Sequence, residues 1–431
     1  MEHHQPDFKA LLPLFGFFAL YALTYIFTGS LSAFPVSVAF LATSVLAILF
    51  SKKNKLADRI AIFCKGAAND TIMLMVLIFV LAGAFAGTAK SMGAVDATVN
   101  MALYLLPENL LVAGMFLAAC FISMSMGTSC GTITALAPLS VGIAAGTGMN
   151  MPFILGAVIG GAMFGDNLSF ISDTTIVATR TQGCRMKDKF NVNIRILFPV
   201  VLLLLAAYVY LGFTSAAPYS VSATDVDWLK VVPYAVVLIT ALMGVNVIAV
   251  LMSGIVLSGI VGLLTGSFTV WEWASSMQTG IVTDMGELII VSLMAGGLFE
   301  VIRFNGGIDW LIDRLSKNIR SKRQAEYKVA SLVCFTDLCT ANNTVALIIT
   351  GPIAKQISDK FGIDNRKMAS LIDTFSCAVQ GLLPYGAQLL IASSLADVNP
   401  MQILPYLYYP ALIGFASVIA IIFQLPRKYA K

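Results

Sequence analysis

Apolar residues run along this chain in stretches about as long as a helix needs to cross a bilayer, roughly 20 residues, and short polar or basic segments separate them. Eight stretches read as uninterrupted crossings, at 12–28, 35–50, 71–88, 195–213, 231–244, 248–264, 287–303 and 404–424. Two more, 152–181 and 368–396, are long enough to cross but are interrupted by polar and Gly/Pro residues, which predicts broken helices. A further two, 110–147 and 329–356, are apolar with polar centres and predict re-entrant hairpins. The pattern describes an all-α polytopic membrane protein with ten crossings and two hairpins. The first apolar run, Leu11 to Phe27, has no cleavage-type flank and is followed at once by another, so it reads as a transmembrane helix and not a removable signal.

The charges sharpen this picture. All but Lys90 and Lys230 of the 27 Lys and Arg residues fall in segments that this span list places on one side. The positive-inside rule makes that side cytoplasmic and puts both termini there. Only 12% of residues are charged and 58% are hydrophobic, with mean hydropathy +0.85. Soluble domains carry about 25% charged residues, so the main solvent of this surface is lipid. A net charge of +4 gives no basis for nucleic-acid binding. Both histidines, His3 and His4, lie in the N-terminal tail, which leaves proton handling inside the membrane to carboxylates. The seven cysteines form no CxxC pair and read as reduced and structural.

The chain also reads as built twice. Gly66, Gly83, Phe85 and Gly93 match Gly280, Gly297, Phe299 and Gly307 at an offset of 214, and the hairpin centre Thr128–Thr132 matches Thr340–Thr344 at an offset of 212. The loop at 51–65 is basic while its partner at 266–283 has no Lys or Arg, and 303–328 is basic while its partner near 90–108 has one lysine. Opposite charge in matched loops is the mark of inverted-topology repeats, common in secondary transporters.

Backbone that leaves the helix inside a membrane is tolerated only where protein or a water-filled cavity satisfies it. Four such places stand out. The first hairpin offers Thr128, Ser129 and Thr132; the first broken helix packs Asp166, Asn167, Ser169, Ser172, Asp173, Thr174 and Thr175 into ten residues. The second hairpin offers Asp337 and then Asn342, Asn343 and Thr344, and the second broken helix Asp373, Ser376 and Gln380. Carboxylate, amide, hydroxyl and carbonyl oxygens are what a hard cation takes, and several aspartates in a membrane segment, each costing roughly 2.5–3.5 kcal/mol to insert, argue for function. Asp166, Asp173 and Asp337 are therefore the expected proton and Na+ carriers, with Na+ expected at Asp166, Asn167 and Asp173. Asp166 and Asp173 also fit helix N-caps, and helix N-termini at the breaks would suit an anionic group. Glu300 and Arg303 fit an edge ion pair, and Trp271 and Trp273 an interfacial anchor. No nucleophile–base pair or metal-ligand set points to an enzyme.

The run Phe164–Gly165–Asp166–Asn167–Leu168–Ser169–Phe170–Ile171–Ser172–Asp173–Thr174–Thr175 resembles the signature of the NhaC-type Na+/H+ antiporter family, as do Gly127–Thr132 and Gln380–Gly386. Phe170 stands where that family usually has proline, and Cys130 where it often has tryptophan. The resemblance covers roughly 60–400 and implies a bacterial inner-membrane exchanger of elevator type, in which a transport unit moves against a scaffold. On that basis the chain divides into scaffold helices at 1–60, a first repeat at 61–194, connecting scaffold at 195–274, a second repeat at 275–400, and a C-terminal helix and tail at 401–431. Two functions stay open: Na+/H+ exchange at a carboxylate-rich midplane site, and cation-coupled transport or exchange of a small amino or carboxylic acid. The expected partners are Na+, protons, in the second case an organic solute, the lipid bilayer, and room for a homodimer.

Overall fold

The computed structural model describes residues 5–28, 34–51, 55–105, 107–169, 172–215, 226–243, 245–316 and 319–429. His3, His4, Phe170, Ile171 and most of the loop at 214–230 lie outside these. Among the described residues the structure is helical, with no strand.

The first half runs through α1 (Leu12–Thr28), α2 (Val36–Phe50), α3 (Leu56–Ala67), α4 (Asp70–Met92), α5 (Ala94–Leu105), α6 (Leu111–Met126), α7 (Ser129–Thr147), α8 (Met151–Leu168), α9 (Asp173–Gln182) and α10 (Met186–Ser215). The second runs through α11 (Trp228–Leu242), α12 (Val247–Leu264), α13 (Val270–Thr279), α14 (Gly286–Phe304), α15 (Gly307–Ser316), α16 (Lys322–Thr340), α17 (Asn343–Phe361), α18 (Asn365–Gln380), α19 (Ala387–Ala396), α20 (Pro400–Ile403) and α21 (Tyr408–Ile422).

Sequence punctuation sets the ends that matter. α6 stops at Gly127 in the left-handed region (φ 71), where only a residue without Cβ is unstrained. Thr128 then caps α7, accepting from the Gly131 N–H. In the second half α16 stops at left-handed Ala341 (φ 49), and Asn342 caps α17 by accepting from the Val345 N–H at 3.0 Å. Both hairpins are thus helix, one-residue tip, capped helix. α17 and α19 begin and end 214 residues after α7 and α9, and the tips Gly127 and Ala341 keep that spacing. The expected 212 offset for the hairpins is corrected: Thr128 pairs with Asn342, and Thr132 with Ala346. The same order of elements also recurs from α1 and from α11.

Two crossings brace the halves. Gly66, at the end of α3, lies against Gly296 and the Cβ of Glu300 on α14, and Gly280, just past α13, lies against Gly83 and Gly87 on α4. A Cβ at any of these positions would strike backbone, so close approach of this kind requires small residues. The two crossings fall on matching stretches but one residue out of step: Gly66 and Gly280 are 214 apart, as are Gly83 and Gly297, whereas Gly66 rests on Gly296.

Among the described residues, Ile72–Met92, Ser129–Thr147, Met186–Phe213, Val247–Leu264 and the stretch Met151–Gln182, which holds α8 and α9, are long and apolar enough to cross a membrane, and the pair Pro400–Tyr406 and Tyr408–Ile422, bent by 51°, makes a sixth. Shorter apolar helices such as Ser37–Phe50 and Trp228–Thr240 stand beside them. The expected second hairpin is longer than 329–356, because Ser321 caps α16 and Gly362 closes α17. The expected loop at 303–328 holds α15, and the basic segment 51–65 holds most of α3. Glu300 and Arg303 pair at 2.5 Å. Trp271 is exposed, whereas Trp273 turns inward, donates to Thr88 Oγ1 at 3.2 Å and stacks on Phe268.

Candidate functional site

Four helix ends meet at one cavity of about 110 Å³. Its lining includes Thr128, Ser129 and Cys130 from the first tip, Asp166, Ser172, Asp173 and Thr174 from the first break, Ala341, Asn342, Asn343 and Thr344 from the second tip, and Gln380, Ala387 and Gln388 from the second break. Leu74 and Ile78 of α4 supply an apolar wall.

Asp166 is the organising group. It sits in the last turn of α8, buried, and accepts from Ser129 Oγ at 2.9 Å and from Ser172 Oγ at 2.5 Å. Ser172 also contacts the Thr174 hydroxyl at 2.9 Å. On the other side Gln388 Nε2 donates to Ser129 Oγ at 3.1 Å, and Gln380 Nε2 donates to Gln388 Oε1 at 2.8 Å and to the Ala341 carbonyl at 3.3 Å. One hydrogen-bonded chain therefore ties all four ends together. Asp173 opens α9, where an acidic residue is favoured by the helix dipole, and is exposed.

Ten of the named candidates line the cavity; seven do not. Asn167, expected as an ion ligand beside Asp166, faces away. Its carbonyl accepts from Lys189 Nζ at 2.5 Å and its side-chain oxygen from Asn193. A residue one step along a helix from Asp166 points roughly 100° around it, so adjacent residues do not share a ligand cage there. Asp337 is fully buried in the last turn of α16, below the tip, and does not line the cavity. Thr132, Ser169 and Ser376 spend their hydroxyls on the carbonyls of Thr128, Met124 and Asp373. Among the described residues no three His, Cys, Asp or Glu side chains stand close enough to hold a metal ion together.

Asp373 is held by a residue that the charge pattern had placed in a loop. Lys189 is 1% exposed, reaches in from the first turn of α10, and lies 2.5 Å from Asp373 Oδ2, while also donating to Thr175 Oγ1 at 2.7 Å. It joins the first break, through Asn167 and Thr175, to α18 of the second half. Lys367, also counted with the loops, is buried and pairs with Glu326 at 2.6 Å. Both are corrections to the loop count. A basic residue beside Arg185 and Lys187 carries no sign in sequence that it turns inward. Only the lone Asp373, whose counterpart 214 residues earlier is Ile159, signals that a buried cation is needed.

Apolar helices around a shared polar centre, with helix ends instead of continuous helices at that centre, define a multi-pass membrane protein built around an internal site. The chain belongs to the Na+/H+ antiporter family, whose sequence model matches residues 8–215 and again residues 213–425. It is 26% identical to the Na+/H+ antiporter NhaC of Bacillus subtilis over 388 residues, 81% of this chain and 83% of that protein. It is 21% identical to the malate-2H+/Na+-lactate antiporter of the same organism, over 82% of this chain and 81% of that protein. The solved YdaH transporter of Alcanivorax borkumensis is similar at 12% identity and TM-score 0.44, over 90% of this chain and 98% of that one. These relatives are named as transporters, not enzymes.

Proposed function

We propose that the protein exchanges Na+ for protons at the cavity where the four helix ends meet. The observation that carries this reading is Asp166, a buried carboxylate facing a cavity lined by hydroxyls and amides and fixed by two serine donors. Oxygen ligands of these kinds suit a dehydrated alkali cation. A proton and a cation are alternative ways of cancelling the same carboxylate charge, so exchange follows from competition without a separate coupling device. Asp173, at the exposed rim, is the entry carboxylate. In this reading the two halves are inverted repeats, both termini are cytoplasmic, and the segments 61–194 and 275–400 move against the remaining helices to expose the cavity to either side of the bacterial inner membrane in turn.

Reconstitution in proteoliposomes carrying a pH-sensitive dye tests it. Addition of Na+ is expected to drive proton efflux from wild-type vesicles with no organic solute present. Asp166→Asn is expected to abolish that flux, and Asp173→Asn to reduce it at least tenfold, with both variants inserted and monodisperse. Normal exchange in both variants would leave the two aspartates with a structural role only, Asp166 as the acceptor of the serine hydroxyls and Asp173 in the first turn of α9, and end the reading.

A further inference from the structure

Where Asn167 faces away from the cavity, a second group of polar side chains is buried, with Lys189 at its centre. The ammonium lies 2.5 Å from the Asn167 carbonyl oxygen, 2.7 Å from Thr175 Oγ1 and 2.5 Å from Asp373 Oδ2. A lysine ammonium has three hydrogens to donate, so one oxygen meets each. The oxygens are of three kinds, carbonyl, hydroxyl and carboxylate, which is the set a hard cation collects. Ca2+, a hard cation of nearly the radius of Na+, keeps such oxygens at about 2.3–2.6 Å, so the spacing suits a bare ion as well as an ammonium. Asn167, Thr175 and Asp373 are each at most 1% exposed.

The fold provides these oxygens independently of the lysine. α8 ends one residue past Asn167, so that carbonyl is among the last four, which have no partner in their own helix. It also lies at the negative end of the helix dipole. Thr175 comes from the first turn of α9, and Asp373 from the middle of α18. Asn193, one turn on from Lys189 along α10, donates its Nδ2 to the Asn167 carbonyl at 3.3 Å, yet nothing donates to its own Oδ1. An ammonium whose three hydrogens are spent has none left for that oxygen. An ion, which takes more than three oxygens, does not meet that limit.

The internal match shows that the set comes and goes as a unit. α10 starts at Met186 and α20 at Pro400, 214 apart. At that offset Lys189 corresponds to Ile403, Thr175 to Leu389 and Asp373 to Ile159, all fully buried. The half without the ammonium therefore lacks the carboxylate and the hydroxyl too. We infer that these oxygens form a cation site that the protein fills with its own lysine, and that without the Lys189 side chain the site takes an alkali ion from solution. In the wild type Lys189 keeps this second site neutral and closed to external ions. The inference stands on the contacts of Lys189 and not on the proposed exchange at Asp166.

The test follows thermal unfolding of purified full-length protein in detergent by tryptophan fluorescence, with NaCl exchanged against choline chloride at constant ionic strength. All variants carry Asp166→Asn, so that Na+ binding in the cavity stays out of the readout. In that background Lys189→Ala is expected to unfold early in choline chloride and to recover by at least about 4 °C at about 300 mM Na+, because an ion that binds only the folded state raises the midpoint. The Asp166→Asn parent is expected to move by less than about 1 °C. Adding Asp373→Asn to Lys189→Ala is expected to remove the response, since no carboxylate is left to hold the ion. Lys189→Gln keeps most of the stem and sets an amide against Asp373. It replaces Lys189→Ala if that variant is not recovered folded, and is expected to respond to Na+ in the same direction. A loss of stability that Na+ does not reduce makes Lys189 a brace only and overturns the inference, as does a Na+ response that survives Asp373→Asn. A response already present in the Asp166→Asn parent counts against cation binding at Asp166, and this site is then judged on the further gain in the Lys189 variant.

Discussion

Lys189 shows how much a single buried charge decides. It is surrounded by the Asn167 carbonyl, the Thr175 hydroxyl and the Asp373 carboxylate, and essentially none of it reaches solvent. Removing one partner of such a pair leaves a bare charge in low dielectric and costs about 3–5 kcal/mol, whereas replacing both with apolar residues of like volume is close to neutral. Lys189→Met is therefore expected to destabilise the protein by about 3–5 kcal/mol in denaturant titration of the purified protein. The double variant Lys189→Met/Asp373→Leu is expected to recover most of that loss while transport stays impaired. Equal stability of Lys189→Met and wild type would show that the pair is not a brace. Residues of this kind were the least legible in sequence. Composition around Asp166 pointed to the cavity, because carboxylates, an amide and hydroxyls crowded into ten apolar-flanked residues need a polar interior to face. The inward turn of Lys189 depends on where α10 meets α18, which no local pattern encodes. Gln388 was passed over for the same reason, since its partner Ser129 is 259 residues away.

At the scale of elements, the two hairpins make the same turn with different residues. Gly127 takes its left-handed conformation without cost, whereas Ala341 carries a Cβ in a region that disfavours it by about 1–2 kcal/mol. Gly127→Ala is expected to lower stability by about 1 kcal/mol, and Ala341→Gly to leave it unchanged or raise it by up to about 1 kcal/mol. Thermal unfolding followed by a tryptophan signal separates the two; a loss on Ala341→Gly equal to that on Gly127→Ala would mean that the tip conformation is set elsewhere. Both hairpins were readable in sequence, since polar centres within apolar runs gave away the tips. Their extent was misjudged, because the outer ends of α16 and α17 are polar helix held by Ser321 and Gly362 and not by apolar periodicity. The 212 offset failed for a related reason: similar Thr and Asn residues on both sides of a tip align equally well in two registers, and only the left-handed residue fixes the right one.

For the whole molecule, the segment at Arg185 and the segment at Trp271 are expected on opposite faces of the membrane. In a cysteine-free background, Trp271→Cys is expected to react with an impermeant thiol reagent applied to intact cells, and Arg185→Cys only after permeabilisation. Both side chains are more than four-fifths exposed, so access by the reagent is limited by the membrane alone. Labelling of both from the same side would overturn the order of crossings between Arg185 and Trp271, and with it the topology from which the inverted arrangement is read.

The glycine crossings carry a consequence about symmetry. In each, the end of one helix of one half rests on a small-residue patch of the other half, and exchanging the halves brings the two contacts within one residue of each other, since Gly83 corresponds to Gly297 and Gly66 rests on the neighbouring Gly296. Self-complementary contact of that kind is what joins two identical subunits across a two-fold axis. Two identical half-length chains would have to carry the same residue at both positions, whereas this single chain holds aspartate at 166 and glutamine at 380.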